Sequence, residues 1–293
     1  MANFTKNFDH LPNLHIFLED CDHIDCAIYT DSGMIGQTWQ VAVALTGPLD
    51  DNFFISDFGD IKHLVKRTLR KSIDHTLIIP NTLNTHETEN LSLRFPNGWN
   101  YFAPKGAVSV IPFAEVNQET ITQFLNQTLQ AQLPQDYHIS ISLHQTQYQN
   151  GSYFSYTHGI QGHQGNCQRL LHGHQGKIRI SIKGQRQVSL EQKFLSFLTS
   201  GQSIHIASAS QVASQSDDLV ELSYLASQGR FHMTLPRPRT LILPTGTSIE
   251  AITLGLANIF QKKFKPSSTV EMTCFEGIGK GSTTLIHPDH SPP

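Results

Sequence analysis

The chain has 293 residues, 38% of them hydrophobic and 15% charged, with a formal net charge of −3. That length fits one large domain or two of ordinary size, with enough apolar material for packed cores and no signature of wholesale disorder. The slight acidity makes no electrostatic case for nucleic acid as a partner, no apolar run is long enough to cross a bilayer, and MANFTKNFDHLPNLHIF lacks the basic start and apolar core of a signal peptide. A cytoplasmic location without a membrane partner is therefore expected. The four cysteines (Cys21, Cys26, Cys167, Cys274) form no CxxC pair and read as free thiols.

Two halves show a similar order of elements. TWQVAVALTG alternates Trp39, Val41, Val43 and Leu45 on one face, as a half-buried strand does. A helix follows in DFGDIKHLVKRTLRKSIDH, with Ile61, Leu64, Val65 and Leu69 at helical spacing and Asp57 as its N-cap. The polar stretch from Thr82 to Gly106 reads as an excursion loop. ETITQFLNQTLQAQL is a second helix and HISISLHQT a closing strand. The Asn-Gly turn in TQYQNGS, Thr146 to Ser152, marks a boundary, dividing the chain into residues 1–147 and 148–293. The second half offers strands at Phe154–His158 and HGHQGKIRISIKG, a helix in SIEAITLGLANIF and a last strand in VEMTCFE. Between Val188 and Pro244 the correspondence is poor, and SIHIASA, FHMTLP and TLILP look strand-like. The expected class is α+β, with antiparallel sheets and helices on one face, built by a divergent internal repeat.

Chemistry concentrates in FSYTHGIQGHQGNCQRLLHGH. Imidazole is the commonest zinc ligand, and residues two apart on a strand share a face, so His172 and His174 can reach one ion. An isolated HGH would be a strand end with two surface histidines; His158 and Cys167 upstream favour a metal site. His163 competes as a ligand but sits in a Gly/Gln-rich turn.

These residues resemble the family of 6-pyruvoyltetrahydropterin synthase and its bacterial relative 6-carboxytetrahydropterin synthase. The second half carries FSYTH, Cys167, HGH and CFE; the first carries DFGDIK and IDH. The resemblance covers most of the chain as two tandem copies. In the first copy Ile35-Gly36-Gln37 stands where HGH belongs, and SLHQT where the family has a glutamate; the second shows neither a DFxxxK helix nor an Asp-His pair. The resemblance implies tunnelling-fold units (ββααββ) that assemble into rings, with active sites between units. It implies one complete site per pair of copies, formed in cis or between chains.

On that resemblance, zinc is the cofactor, held by His158, His172 and His174 and acting as a Lewis acid on the vicinal hydroxyls of 7,8-dihydroneopterin triphosphate. Cys167 would be the proton-abstracting thiolate, with Asp74 orienting His75 as a relay. Glu276 would accept two parallel hydrogen bonds from the pterin edge. Glu250 matches a second pterin-contacting position, although Thr247-x-x-Glu250 is equally a capping box. Asp74-His75 could alternatively just end its helix, and Cys167 could be an inert buried thiol. The implied activity is a zinc-dependent pterin lyase yielding 6-carboxytetrahydropterin, towards 7-deazaguanines such as queuosine, or 6-pyruvoyltetrahydropterin. The implied partner is a further copy of the chain, as a trimer or a dimer of trimers. The rival is a non-catalytic pterin- or purine-binding or assembly protein of the same fold.

Overall fold

The computed structural model describes residues 14–83, 86–87, 89–95, 98–145 and 152–288. The first half runs β1 (His15–Thr30), β2 (Gly33–Thr46), α1 (Phe58–Ser72), β3 (Leu77–Pro80), β4 (His86–Glu87), β5 (Asn90–Arg94), β6 (Asn100–Pro104), β7 (Val108–Ile111), α2 (Gln118–Gln130) and β8 (His138–Gln145). The second runs β9 (Tyr153–His158), β10 (His172–Ile182), β11 (Gln185–Arg186), α3 (Val188–Thr199), β12 (Ile204–Ser208), β13 (Val212–Gln215), β14 (Leu219–Ala226), β15 (Gly229–Pro236), β16 (Thr240–Leu243), α4 (Ile249–Phe264), β17 (Val270–Phe275) and β18 (Gly281–Ile286).

Each half builds its own sheet and covers one face with its two helices. The first sheet is ordered β7-β3-β1-β2-β8, the second β16-β12-β9-β10-β17-β18, with β11 against β10. The alternation seen in the sequence does the work: Val41, Val43, Leu45, Ile139, Ile141 and Leu143 point towards Ile61, Val65 and Leu69 of α1 and Ile121, Leu125 and Leu129 of α2. Asp57 caps α1 by accepting from the Gly59 N–H at 2.6 Å. In the second half Ile178, Ile180, Met272, Ile204 and Ile206 meet Phe194 of α3 and Ile252, Leu256 and Phe260 of α4.

Several elements depart from the sequence reading. The sheets are mixed: β3 runs parallel to β1 and β7, and β12 parallel to β9 and β16. The strand β1 was not foreseen, and the 82–106 stretch holds three strands in place of a loop. The second half does possess a counterpart of α1, namely α3. Its DF-type start is absent, Gln187 makes no side-chain cap, and Glu191 occupies its buried face. That carboxylate is satisfied by Arg186 (2.8 and 2.9 Å) and the Ile180 N–H (3.1 Å), so a charge stands where periodicity expects an apolar residue. Helix α4 is capped by Ser248, not Thr247. The boundary segment falls almost wholly on residues 146–151, and most of the C-terminal tail on 289–293, outside the described residues.

Two features join the halves. Strands β4–β6 and β13–β15, inserted at corresponding places, form one six-stranded sheet through antiparallel pairing of β6 with β15. A third core lies beneath it, drawing Leu77, Ile79, Leu91 and Tyr101 from one half and Leu170, Leu171, Val220 and Met233 from the other. Secondly, the two long hairpins meet back to back at glycines. A Cβ on Gly36 would run into the Tyr156 carbonyl and lie 2.7 Å from the His174 backbone; one on Gly173 would lie 2.6 Å from the Gly36 Cα.

Substituting Gly36 with valine should therefore force the halves apart and destabilise the chain by about 2–3 kcal/mol. Gly162→Ala, where a Cβ meets nothing within 4 Å, serves as the neutral control. Urea midpoints of the two variants should separate clearly; equal midpoints would contradict this packing.

Candidate functional site

The strand β9 ends at His158 and β10 begins at His172, directly opposite each other in the antiparallel ladder. His174 is two residues further along β10 and shares the face of His172. The three rings lie close together, tilted or edge-on to one another with centroid separations of 4.3, 5.1 and 5.1 Å, and are essentially sealed from solvent. One ring nitrogen from each lies within 4.8 Å of the others.

The groups that these rings contact on their outer side decide which nitrogen faces inward. His158 Nδ1 lies 2.8 Å from the Thr247 carbonyl at the foot of α4, and His172 Nδ1 lies 2.8 Å from the Arg169 carbonyl. A carbonyl only accepts, so both Nδ1 atoms carry the proton and both Nε2 atoms present lone pairs. His174 Nδ1 sits 3.1 Å from Asp25 Oδ1, in an oblique electrostatic contact. All three Nε2 atoms are buried without a hydrogen-bond partner. Burial, reinforced by the neighbouring imidazoles, holds His158 and His172 well below the usual histidine range. Three imidazoles with converging, unsatisfied nitrogens fit a zinc ion with a fourth position left open.

The loop from Gly159 to Leu171 hangs over this cluster and carries Cys167. It is pinned from the shared sheet: Tyr224 Oη donates to the Gln168 carbonyl at 2.5 Å, and Gln168 Oε1 accepts from Ser227 Oγ (3.0 Å) and the Gln228 N–H (2.7 Å). Arg169 bridges on to the first half, donating to the His75 carbonyl at 3.3 Å. Asp74 and His75 follow α1 and arrive from the first half of the same chain. His75 adopts a left-handed conformation (φ 55°), an uncommon backbone state for a non-glycine residue. Its Nδ1 lies 2.9 Å from Asp74 Oδ2, its ring stacks on His172 at 5.2 Å, and it groups with Cys167 and His172. Burial works against the charged ring, but hydrogen bonds to Asp74 and Cys167 outweigh it and push the His75 pKa up to about 10.

Glu276 follows β17 and reaches the same cluster, its Oε1 lying 3.6 Å from His158 Nε2 and 3.5 Å from His174 Nε2. Glu250 does not join: it is exposed on the first turn of α4 and hydrogen-bonds to Ser248, which lowers its pKa. His163 is also exposed, its Nδ1 accepting from the Gly165 N–H. All four cysteines are free thiols, and Cys167 is the one not fully buried. Asp25, Thr38, Lys280 and the Thr247 carbonyl were missed from sequence. They belong to no motif and meet the site only through folding.

The ladders also equate positions between the halves. Ala27 pairs with Gly36 and Leu77 as Thr157 pairs with Gly173 and His205. In that register Ile28, Ile35 and Gln37 stand where the second half has His158, His172 and His174. Gln202-Ser203 stands for Asp74-His75, and Gln145 for Glu276. The corresponding space between the halves is a cavity of about 410 Å3 lined by Ser32, Ile35, Ser155, Gln202, Ser203 and Arg239. There the Arg239 guanidinium donates to the carbonyls of Ser203 (2.9 and 3.2 Å) and Ser32 (2.6 Å). At this second place the positions equivalent to His158, His172, His174, Asp74, His75 and Glu276 hold neither imidazole nor carboxylate, and the turn between β1 and β2 is too short to hold a counterpart of Cys167.

Against solved structures, the chain is similar to the 6-pyruvoyltetrahydropterin synthase of Plasmodium vivax (19% identity, TM-score 0.39, covering 46% of this chain and 93% of that one). It is similarly related to the Plasmodium falciparum enzyme (20% identity, TM-score 0.38, 45% and 91%). No curated protein matches the chain. The family model described as 6-pyruvoyl tetrahydropterin synthase matches twice, over residues 30–150 and 147–280. Together the two matches span most of the sequence, and the chain belongs to the 6-pyruvoyl tetrahydropterin synthase family, with the family's domain present in tandem.

Proposed function

We propose that the chain is a zinc-dependent pterin lyase acting on 7,8-dihydroneopterin triphosphate through one composite site per chain. The observation that carries this reading is the meeting of Asp74-His75 from one copy with Cys167 and His172 from the other. The copies divide near residue 147, and each supplies what its partner lacks. His158, His172 and His174 would hold zinc, which when bound supplies Lewis-acid polarisation of substrate oxygens.

The remaining roles fall to the protein. Cys167 removes a proton from the substrate side chain and His75 takes up and returns protons beside it, while Asp74 keeps the imidazole oriented. Glu276, whose carboxylate reaches the imidazole cluster, would bind the N–C–NH2 edge of the pterin through two parallel hydrogen bonds. Glu250 stands as a secondary pterin contact, its bond to Ser248 supporting a helix-start role first. Elimination of triphosphate would give 6-pyruvoyltetrahydropterin; side-chain cleavage would give 6-carboxytetrahydropterin, the product expected first. Among its described residues the chain has no helix long and apolar enough to cross a membrane. It would assemble with further copies of itself, three chains making a ring of six units.

Incubating zinc-loaded protein with dihydroneopterin triphosphate should yield one of the two product masses. Replacing both Asp74 and His75 by alanine should lower turnover by about 100-fold or more with zinc retained. Full turnover in the double variant would rule out the composite site, and no turnover in the zinc-loaded wild type would favour a binding protein.

The Asp74–His75 contact also predicts a pH signature. The folded-state pKa of His75, about 10, lies above its ordinary value of 6.5, so its stabilisation is complete below about pH 6.5 and is lost as pH rises through about 10. In metal-free protein the stability gap between wild type and Asp74→Asn should narrow from pH 6.5 to pH 10. Urea titrations that stay parallel over that range would contradict the pairing.

A further inference from the structure

Asp25 belongs to no motif, yet it contacts both His174 and the Asp74-His75 pair. It lies within β1, in the half that has lost its metal ligands, with 4% of its surface exposed. A buried carboxylate is costly unless fully paired, and this one is paired on all sides. Oδ1 accepts from Thr38 Oγ1 at 2.6 Å and lies 3.1 Å from His174 Nδ1, and Oδ2 accepts from Lys280 Nζ at 3.1 Å. Thr38 is itself fixed, accepting from the Gln175 N–H next to His174 at 3.1 Å. The Asp25 peptide reaches the other way. Its N–H donates to Asp74 Oδ1 at 3.2 Å, and its carbonyl accepts from the His75 N–H at 2.7 Å.

The repeat supplies an internal comparison. In the ladder register Asp25 corresponds to Ser155, whose hydroxyl donates to the Gly36 carbonyl at 2.9 Å and meets Ser203 Oγ at 2.9 Å. The carboxylate thus occurs in the hairpin that faces the imidazole cluster, and a hydroxyl in the one that faces its altered counterpart.

We propose that Asp25 is a positioning residue that holds His174 in its metal-binding pose and ties that ligand to the Asp74-His75 pair. The proposal rests on the zinc reading of the three histidines. An anionic acceptor beside Nδ1 selects the tautomer with its lone pair on Nε2 and makes the ring a stronger donor to a cation. Thr38 and Lys280 hold the carboxylate in register. The peptide of the same residue fixes Asp74 and His75, so ligand and relay share one support. The copy without metal ligands therefore contributes to the metal as well as to proton transfer.

The test is zinc affinity of the metal-free chain, measured against a chromophoric chelator with no pterin present, together with the visible spectrum of the cobalt-substituted protein. Asp25→Asn, close in shape but uncharged, should weaken zinc binding by about 10- to 100-fold and shift the cobalt bands at saturating metal. Asp25→Ser, which installs the residue of the other copy, should do at least as much. Thr38→Val, which removes one support of the carboxylate, should give a smaller loss and stands in if the Asp25 variants fail to fold. Wild-type affinity and an unchanged cobalt spectrum in a folded Asp25→Asn protein, or wild-type affinity in Thr38→Val if that variant must decide, would overturn the proposal. A wild-type protein that binds zinc but does not turn over pterin would defeat the lyase reading and leave this one standing. A wild-type protein that binds no zinc would defeat both.

Discussion

The close approach of two hairpins at Gly36 and Gly173 is the constraint on which the site depends. A side chain at either place would hold the hairpins apart at the level of the His174 backbone. With glycine at both, the end of α1 in one half comes within ring-stacking distance of His172 in the other. The shared six-stranded sheet and the apolar core beneath it fix the same relationship from a second direction, and the loop carrying Cys167 is fastened to that sheet through Gln168. Packing between copies is thus the means by which groups far apart in sequence become neighbours.

Tandem duplication creates two equivalent places between the copies, and the chain treats them oppositely. One gathers imidazoles, carboxylates and a thiol; the other holds isoleucine, glutamine or serine at the imidazole and carboxylate positions, lacks the loop that carries the thiol, and bridges the space with Arg239. A coherent split of this kind differs from scattered decay. Buried ionisable groups are tolerated where a cation or a hydrogen-bonded partner compensates them, and they are costly elsewhere. Once metal ligands are gone from one place, their charged partners there have no compensation, and neutral residues at Gln145, Gln202, Ser203 and Ser155 fit the same logic.

Much of this was legible in the sequence. The period-two strands around Val41 and Ile141, the capped α1 and the HGH strand announce themselves because local spacing alone defines them. His158, His172, His174, Cys167, Asp74, His75 and Glu276 could be selected by chemistry and order, and all seven lie together. Helix α3 stayed hidden because Glu191 is buried against Arg186, which breaks the apolar stripe. Strands β5 and β6 lie in a polar stretch and join their sheet through the pairing of β6 with β15 of the other half, a long-range effect that no local pattern records, whereas β15 was visible in FHMTLP. Asp25 was invisible for the same reason, since its meaning lies in His174 and Lys280, residues about 150 and 255 positions away. Glu250 shows how a motif position and a helix start can coincide: its side chain is exposed on the first turn of α4 and bonds to Ser248.

If the proposed function holds, one metal centre forms per chain, between its two copies, with ligands from the second and the proton relay from the first. Anomalous diffraction at the zinc edge from zinc-loaded crystals tests this most directly. One anomalous peak per chain is expected, bounded by His158, His172 and His174 and facing His75 of the same chain. A second peak near Ile35 and Gln37, or a peak faced by His75 of a different chain, would contradict it.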